Sequence, residues 1–65
     1  MFIIIELYFG IYQDIYMSSS YDEALQLISD NKIDEYSLYQ VINDHPILIR
    51  TVNDGGYVVN IMEVK

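Results

Sequence analysis

The chain has 65 residues, no cysteine, and ten acidic side chains against three basic ones, which gives a formal net charge of −7. This charge repels nucleic-acid phosphates and anionic membranes, so it argues against direct binding to either and favours a basic protein surface as partner. The absence of cysteine excludes disulfides and thiolate metal sites, so we expect one small domain over residues 1–65 that is stabilised by packing or by a second copy.

The apolar start of the chain does not have the pattern of a targeting segment. The stretch Phe2–Met17 lacks a basic region, contains Glu6, Gln13 and Asp14, and has no apolar run near the roughly 20 residues that a spanning helix needs. We therefore expect no membrane association and a cytoplasmic location, which also fits the lack of cysteine.

Two antiparallel strands are predicted at the start. Phe2–Phe9 is dense in β-branched and aromatic residues, Gly10 offers a turn or bulge, and Ile11–Met17 alternates apolar with polar or phenolic residues. The apolar spacing of four that starts at Leu7 also fits a helix, but Gly10 and the β-rich composition oppose that interpretation.

A helix is predicted to follow. Ser20 and Glu23 have the spacing of a capping box, in which each side chain satisfies a backbone N–H of the first turn. Asn31 and Lys32 suit the helix end, and Ile33 is placed to pack back after it.

Three further strands complete the expected fold. Tyr36–Ile42 predicts a third strand that ends in turn-forming residues 43–46, and Ile47–Val52 and Tyr57–Val64 predict a hairpin joined by residues 53–56. The predicted order is ββαβββ, an α+β fold in which one helix packs on one face of an antiparallel sheet of four to five strands. Because the helix is short, it cannot cover all of the apolar sheet surface, and the uncovered part is available to a partner or a second copy.

Eight side chains are candidate contacts for a basic, partly apolar partner. We expect Tyr12 and Tyr16 to flank Asp14 on one face of the second strand, because the three alternate in sequence. The full set is Asp14, Asp22, Glu23, Asp30, Asp34, Glu35, Tyr12 and Tyr16. Solubility and helix capping explain the same carboxylates without a partner, and tyrosines also cover sheets in small β-rich proteins.

No catalytic, metal or cofactor motif is present. His45 lies beside Asp44, but the chain offers no second histidine, no cysteine and no recognisable nucleophile motif, so we interpret His45 as a turn residue. Gly55 and Gly56 suit a hairpin turn, since no lysine or helix follows them as in a phosphate loop. We therefore expect a protein that is not an enzyme and holds no metal or cofactor.

In size, charge and layout the chain resembles small acidic proteins encoded by phages and prophages of low-GC bacteria. The matching elements are the apolar hairpin that starts with Phe2–Phe9, the Ser-x-x-Glu-Ala start of the helix at Ser20–Ala24, and the strand residues Leu38–Val41. Several proteins of this type are DNA mimics, so the resemblance implies an inhibitor that occupies the DNA-binding site of a basic host protein or defence nuclease. The alternative is a structural or assembly module that homodimerises or docks through a strand edge, with no mimicry.

Overall fold

The computed structural model describes residues 1–53 and 58–60 of the chain, the last three by their backbone alone. The elements in chain order are β1 (Phe2–Tyr8), β2 (Ile11–Ser18), α1 (Tyr21–Asp30), β3 (Tyr36–Ile42), β4 (His45–Val52) and β5 (Val58–Asn60). The predicted α+β class and the ββαβββ order are confirmed. Residues 54–56 of the predicted last turn, and residues 57 and 61–64 of the predicted last strand, lie outside the described part.

The five strands form one antiparallel sheet in the order β2-β1-β3-β4-β5. β1 pairs antiparallel with both β2 and β3, so β2 and β3 run parallel on either side of it. The helix α1 makes the connection from β2 to β3, which is a split β–α–β arrangement. This connection lays the helix across one face of the sheet.

Two-residue turns close both described hairpins. Phe9 and Gly10 join β1 to β2 with φ values of 50° and 79°, and Asn43 and Asp44 join β3 to β4 with φ values of 52° and 64°. Positive φ at both central residues matches the twist of the flanking strands, as in type I′ turns. Because the second turn needs only two residues, β4 begins at His45, two residues before the predicted start of the strand.

Local hydrogen bonds set both ends of the helix where the sequence predicts them, but only half of the predicted capping box forms, because the Glu23 carboxylate accepts from the Ser19 hydroxyl instead of a backbone N–H. The Ser20 hydroxyl accepts from the Glu23 backbone N–H at 3.1 Å, which caps the first turn. At the other end Lys32 adopts φ 52°, and the Ile33 N–H donates to the Ile28 carbonyl at 3.0 Å. This left-handed ending is a Schellman motif, and it turns Ile33 into the core.

The core lies between the helix and one face of the sheet, which we call the helix side. Its buried apolar members are Phe2, Ile4, Ala24, Ile33, Tyr36, Leu38 and Ile49. The start of the helix is also tied to β4, because the Arg50 guanidinium donates to the Tyr21 hydroxyl and lies 5.6 Å from the centroid of the Tyr21 ring. The helix side therefore holds nearly all of the tight packing.

The opposite face of the sheet, which we call the open face, is not covered by any described element. The strand register shows which side chains lie on the open face, because directly paired residues share a face and successive residues along a strand point to opposite faces. Its centre holds six large side chains, Ile3, Ile5, Ile15, Met17, Tyr39 and Leu48, together with the hydroxyl pair Ser37 and Thr51. The predicted surplus of apolar sheet surface lies here.

Candidate interaction surface

Four large apolar side chains project from the β1–β2 hairpin, and we call this group the hairpin tip. It consists of Tyr8, Phe9, Ile11 and Tyr12, which are 65%, 68%, 70% and 61% exposed. The Tyr8 and Phe9 rings contact each other edge to face, with centroids 4.6 Å apart. Four such side chains around one tight turn form an apolar projection that the core does not use.

Phe9 occupies a backbone position that is unfavourable for its side chain. Its φ of 50° lies in the left-handed region, where an L-residue other than glycine, asparagine or aspartate is uncommon. The ring is largely exposed, so its packing against the core does not account for the presence of phenylalanine in this turn. Strained backbone positions of this kind cluster at functional sites.

Glu35 holds the hairpin tip in place from inside. Its carboxylate accepts the Gly10 backbone N–H at 2.6 Å, and its carbonyl accepts the Leu7 N–H at 2.9 Å. The residue is only 7% exposed. The sequence prediction placed Glu35 on the contact surface, but its buried carboxylate is engaged by the turn, so Glu35 acts as a positioning residue.

Asp14 and Tyr16 lie on the helix side of the edge strand β2. Asp14 is exposed and sits directly opposite Glu6, and Tyr16 sits opposite Ile4. The Tyr16 hydroxyl lies 3.4 Å from Glu6 Oε1. Desolvation first, and then the negative charges of Glu6 and Asp14, raise the pKa of Tyr16 above its ordinary value. The pair of facing carboxylates thus gives this end of β2 a strong local negative charge.

Tyr12 lies on the other face of the sheet from Tyr16, contrary to the expectation that the two flank Asp14. The register shifts between Glu6 and Leu7, so that Glu6 pairs with Asp14 while Leu7 pairs with Tyr12. Gln13 is the extra residue of this β-bulge, and an inserted residue reverses the facing of everything beyond it. Tyr12 consequently joins the hairpin tip at the edge of the open face.

The carboxylates of the helix lie at its two opposite ends. Asp22 and Glu23 stand at the start, where the Glu23 carboxylate lies 3.3 Å from the Ser19 hydroxyl, and Asp30 at the end accepts the Gln26 amide at 2.7 Å. Ten helical residues separate the two ends by about 15 Å. The structure therefore does not bring all the predicted acidic residues into one cluster.

Asp34 lies near the hairpin tip. It helps to line a depression beside the turn, together with Glu6, Leu7, Tyr8, Phe9, Lys32 and Glu35. Asp34 is exposed, so its charge is available to a partner that contacts the tip. The tip is thus flanked by acidic side chains on the helix side of the molecule.

Sequence reasoning missed Tyr8, Phe9 and Ile11 as surface residues. The signal was present in the run Tyr-Phe-Gly-Ile-Tyr, where apolar residues directly flank a turn glycine. The two-residue turn at Phe9 and Gly10 places these side chains at the projecting end of the hairpin, and Glu35 contacts only the backbone there, which leaves them exposed.

Neither a metal site nor a membrane span is found in the described residues. Across residues 1–53 and 58–60, no three histidine, cysteine or acidic side chains are grouped so that they could hold a metal ion. In the same part of the chain no helix is long and apolar enough to cross a membrane. Compared with known proteins, the chain matches no family model, no curated protein and no solved structure.

Proposed function

We propose that this protein acts by binding, not by catalysis, and that it docks its hairpin tip onto a basic surface of another protein. The observation on which the proposal rests is the exposed apolar tip, with Phe9 held at a positive φ, beside exposed carboxylates. Aromatic side chains that enter a partner's pocket supply most of the binding energy in many interfaces. The tip presents Tyr8, Phe9 and Tyr12 in that manner.

The flanking charge supports a basic partner. Asp14 and Asp34 are exposed near the tip, and the whole chain has a formal charge of −7. Charge of this sign accelerates encounter with a positive surface, while the desolvated aromatic contacts slow dissociation. The same charge disfavours a nucleic acid as the direct ligand.

The proposal extends to DNA mimicry in the cytoplasm of a bacterial host. Basic clefts that bind DNA carry the positive charge that would attract this surface, and the resemblance to small acidic phage proteins points to such targets. In this proposal the exposed carboxylates take the places of phosphates in the cleft of a DNA-binding enzyme or defence nuclease, which is thereby inhibited. Asp22 and Glu23 at the start of the helix and Asp30 at its end add to the negative charge that attracts such a cleft.

The test is affinity capture from a lysate of a low-GC bacterium, with elution by short duplex DNA of random sequence. The protein is immobilised through its N-terminus, because Phe2 lies at the opposite end of β1 from the tip. Phe9→Asn alters the tip and Asp14→Asn/Asp34→Asn alters the charge. Asp44→Asn is the matched control, since Asp44 is in the turn at the other end of the sheet.

The expected result is one or more basic proteins that duplex DNA releases and that both test variants fail to retain, while Asp44→Asn retains them. Capture should also weaken steeply between about 50 and about 300 mM salt, because screening shortens the range of the attraction. Retention of the same proteins by Phe9→Asn and by Asp14→Asn/Asp34→Asn would contradict docking through the tip. Captured proteins that DNA does not release would contradict mimicry.

A further inference from the structure

The open face has no charged residue on the four strands whose side chains are described. Glu6, Asp14 and Arg50 all lie on the helix side, as does His45 opposite Ile42. The remaining described carboxylates lie on the helix or in connections. A sheet face in contact with water normally carries polar residues in alternation with the core residues. In a chain of charge −7, a charge-free face of this size indicates a surface that is meant to be covered.

The few polar groups at the centre of this face are compatible with burial. Ser37 and Thr51 face each other across β3 and β4, and their hydroxyl oxygens are 3.2 Å apart. One hydroxyl donates to the other, so covering them leaves a single O–H, that of the accepting residue, without an acceptor inside this pair. On β2, on the same face but beyond β1, Ile15 is 46% and Met17 is 63% exposed, so apolar area is available for burial.

The charge distribution favours a second copy of this chain as the cover. Two copies repel each other if they approach through their helix sides, where the described carboxylates of the strands and helix lie. Approach through the open faces directs those carboxylates outward, at the greatest separation that the two molecules allow. A basic or acidic partner would find no complementary charge on this face, so charge selects against it.

Edge pairing between copies through β2 is less favourable than face packing. The exposed edge strand β2 contains the bulge at Gln13 and the carboxylate of Asp14. Bulges and charges on an edge strand are features that oppose pairing with another chain.

We propose that two copies of this protein pack open face against open face, with their sheets about 10 Å apart, as a two-fold symmetric β-sandwich. Four strands and four rows of side chains give a patch of roughly 19 Å by 20 Å, or about 400 Å² of flat area per copy. That is about 800 Å² in the two copies together, below the roughly 1,200 Å² at which stable specific interfaces begin, so we expect a weak dimer with a dissociation constant of about 10 to about 100 µM. The hairpin tips remain at the ends of the sandwich.

Sedimentation equilibrium over about 5 to about 500 µM protein tests this arrangement. The expected mass rises with concentration from 7.6 kDa to twice that value. Ile15→Thr/Met17→Thr keeps residues of good β-propensity but removes apolar area from the open face, so dimerisation should weaken at least about tenfold. The matched control is Ile11→Thr on the same strand, since Ile11 pairs with Tyr8 and is off the open face.

Salt distinguishes this association from the proposed function. Added salt screens the repulsion between the two negative copies, so dimerisation should stay constant or strengthen, whereas binding to a basic partner should weaken. A mass of 7.6 kDa at all concentrations would overturn the proposal, as would unchanged dimerisation of Ile15→Thr/Met17→Thr. Equal weakening by Ile11→Thr would indicate association through the hairpin tip or the β2 edge and would also overturn it.

Discussion

Replacement of Phe9 by asparagine and by alanine separates the backbone strain of the hairpin turn from the contacts of its ring. Both variants remove the same exposed ring, but asparagine tolerates a positive φ far better than alanine does. The difference in stability between the two variants therefore measures the strain at φ 50° without the contribution of the ring.

The expected changes in stability follow from how much of the Phe9 ring is exposed. Burial of a whole phenylalanine ring stabilises a protein by roughly 1.5–3 kcal/mol. Phe9 is 68% exposed, so removal of its ring should cost about a third of that, or about 0.5–1 kcal/mol. In Phe9→Asn the backbone strain of the positive φ is relieved, which should stabilise the protein by about 1 kcal/mol, whereas in Phe9→Ala the strain remains. We expect Phe9→Asn to match the wild type within about 1 kcal/mol. Phe9→Ala should be less stable than Phe9→Asn by about 1 kcal/mol, or about 4–8 °C in Tm.

The assay is urea and thermal unfolding followed by circular dichroism, at one fixed low protein concentration because self-association shifts Tm. Phe2→Ala serves as the contrast, since Phe2 is 5% exposed and its loss should cost about 3–5 kcal/mol. Equal stability of Phe9→Asn and Phe9→Ala would refute the assignment of strain to the turn. A loss above about 2 kcal/mol in Phe9→Asn would show that the ring is structural, and the proposal that it is a binding anchor would fail.

Three further variants test single contacts. Glu35→Ala should destabilise the protein by about 2 kcal/mol in urea unfolding, because it leaves the Gly10 N–H without its acceptor. Glu35→Gln should cost less, since its amide oxygen can still accept. Equal losses in the two variants would contradict the role of Glu35 as this acceptor. The pKa of Tyr16 is higher in the folded than in the unfolded protein. Tyr16 therefore contributes to the free energy of unfolding below the unfolded pKa of about 10, and this contribution is lost as the pH rises through the folded pKa. Tyr16→Phe should therefore flatten the fall of Tm above about pH 10, and an unchanged fall would count against a raised pKa of Tyr16 in the folded state. Lys32→Gly should raise stability by about 1 kcal/mol in the same urea assay, because Lys32 has a φ of 52° at the helix end; a loss would argue against the left-handed ending.

The sequence alone determined the parts of this protein that depend on neighbouring residues. The cap at Ser20, the helix end at Lys32 and Ile33, and the turn at Gly10 follow from local hydrogen bonds and backbone preferences, which act over a few residues. The strands followed from β-branched and aromatic composition, and with one helix they were sufficient to predict the α+β class.

Only the tertiary structure decided which face each of these residues occupies. The bulge at Gln13 reverses Tyr12, because register depends on the partner strand and not on the alternation within β2. Glu35 is buried because the β1–β2 turn packs against it across 25 residues of sequence, a contact that local preference does not encode. The absence of charged side chains from the open face of β1 to β4 likewise emerges only when β1 is placed between β2 and β3, since pairing across the sheet determines which side chains become neighbours.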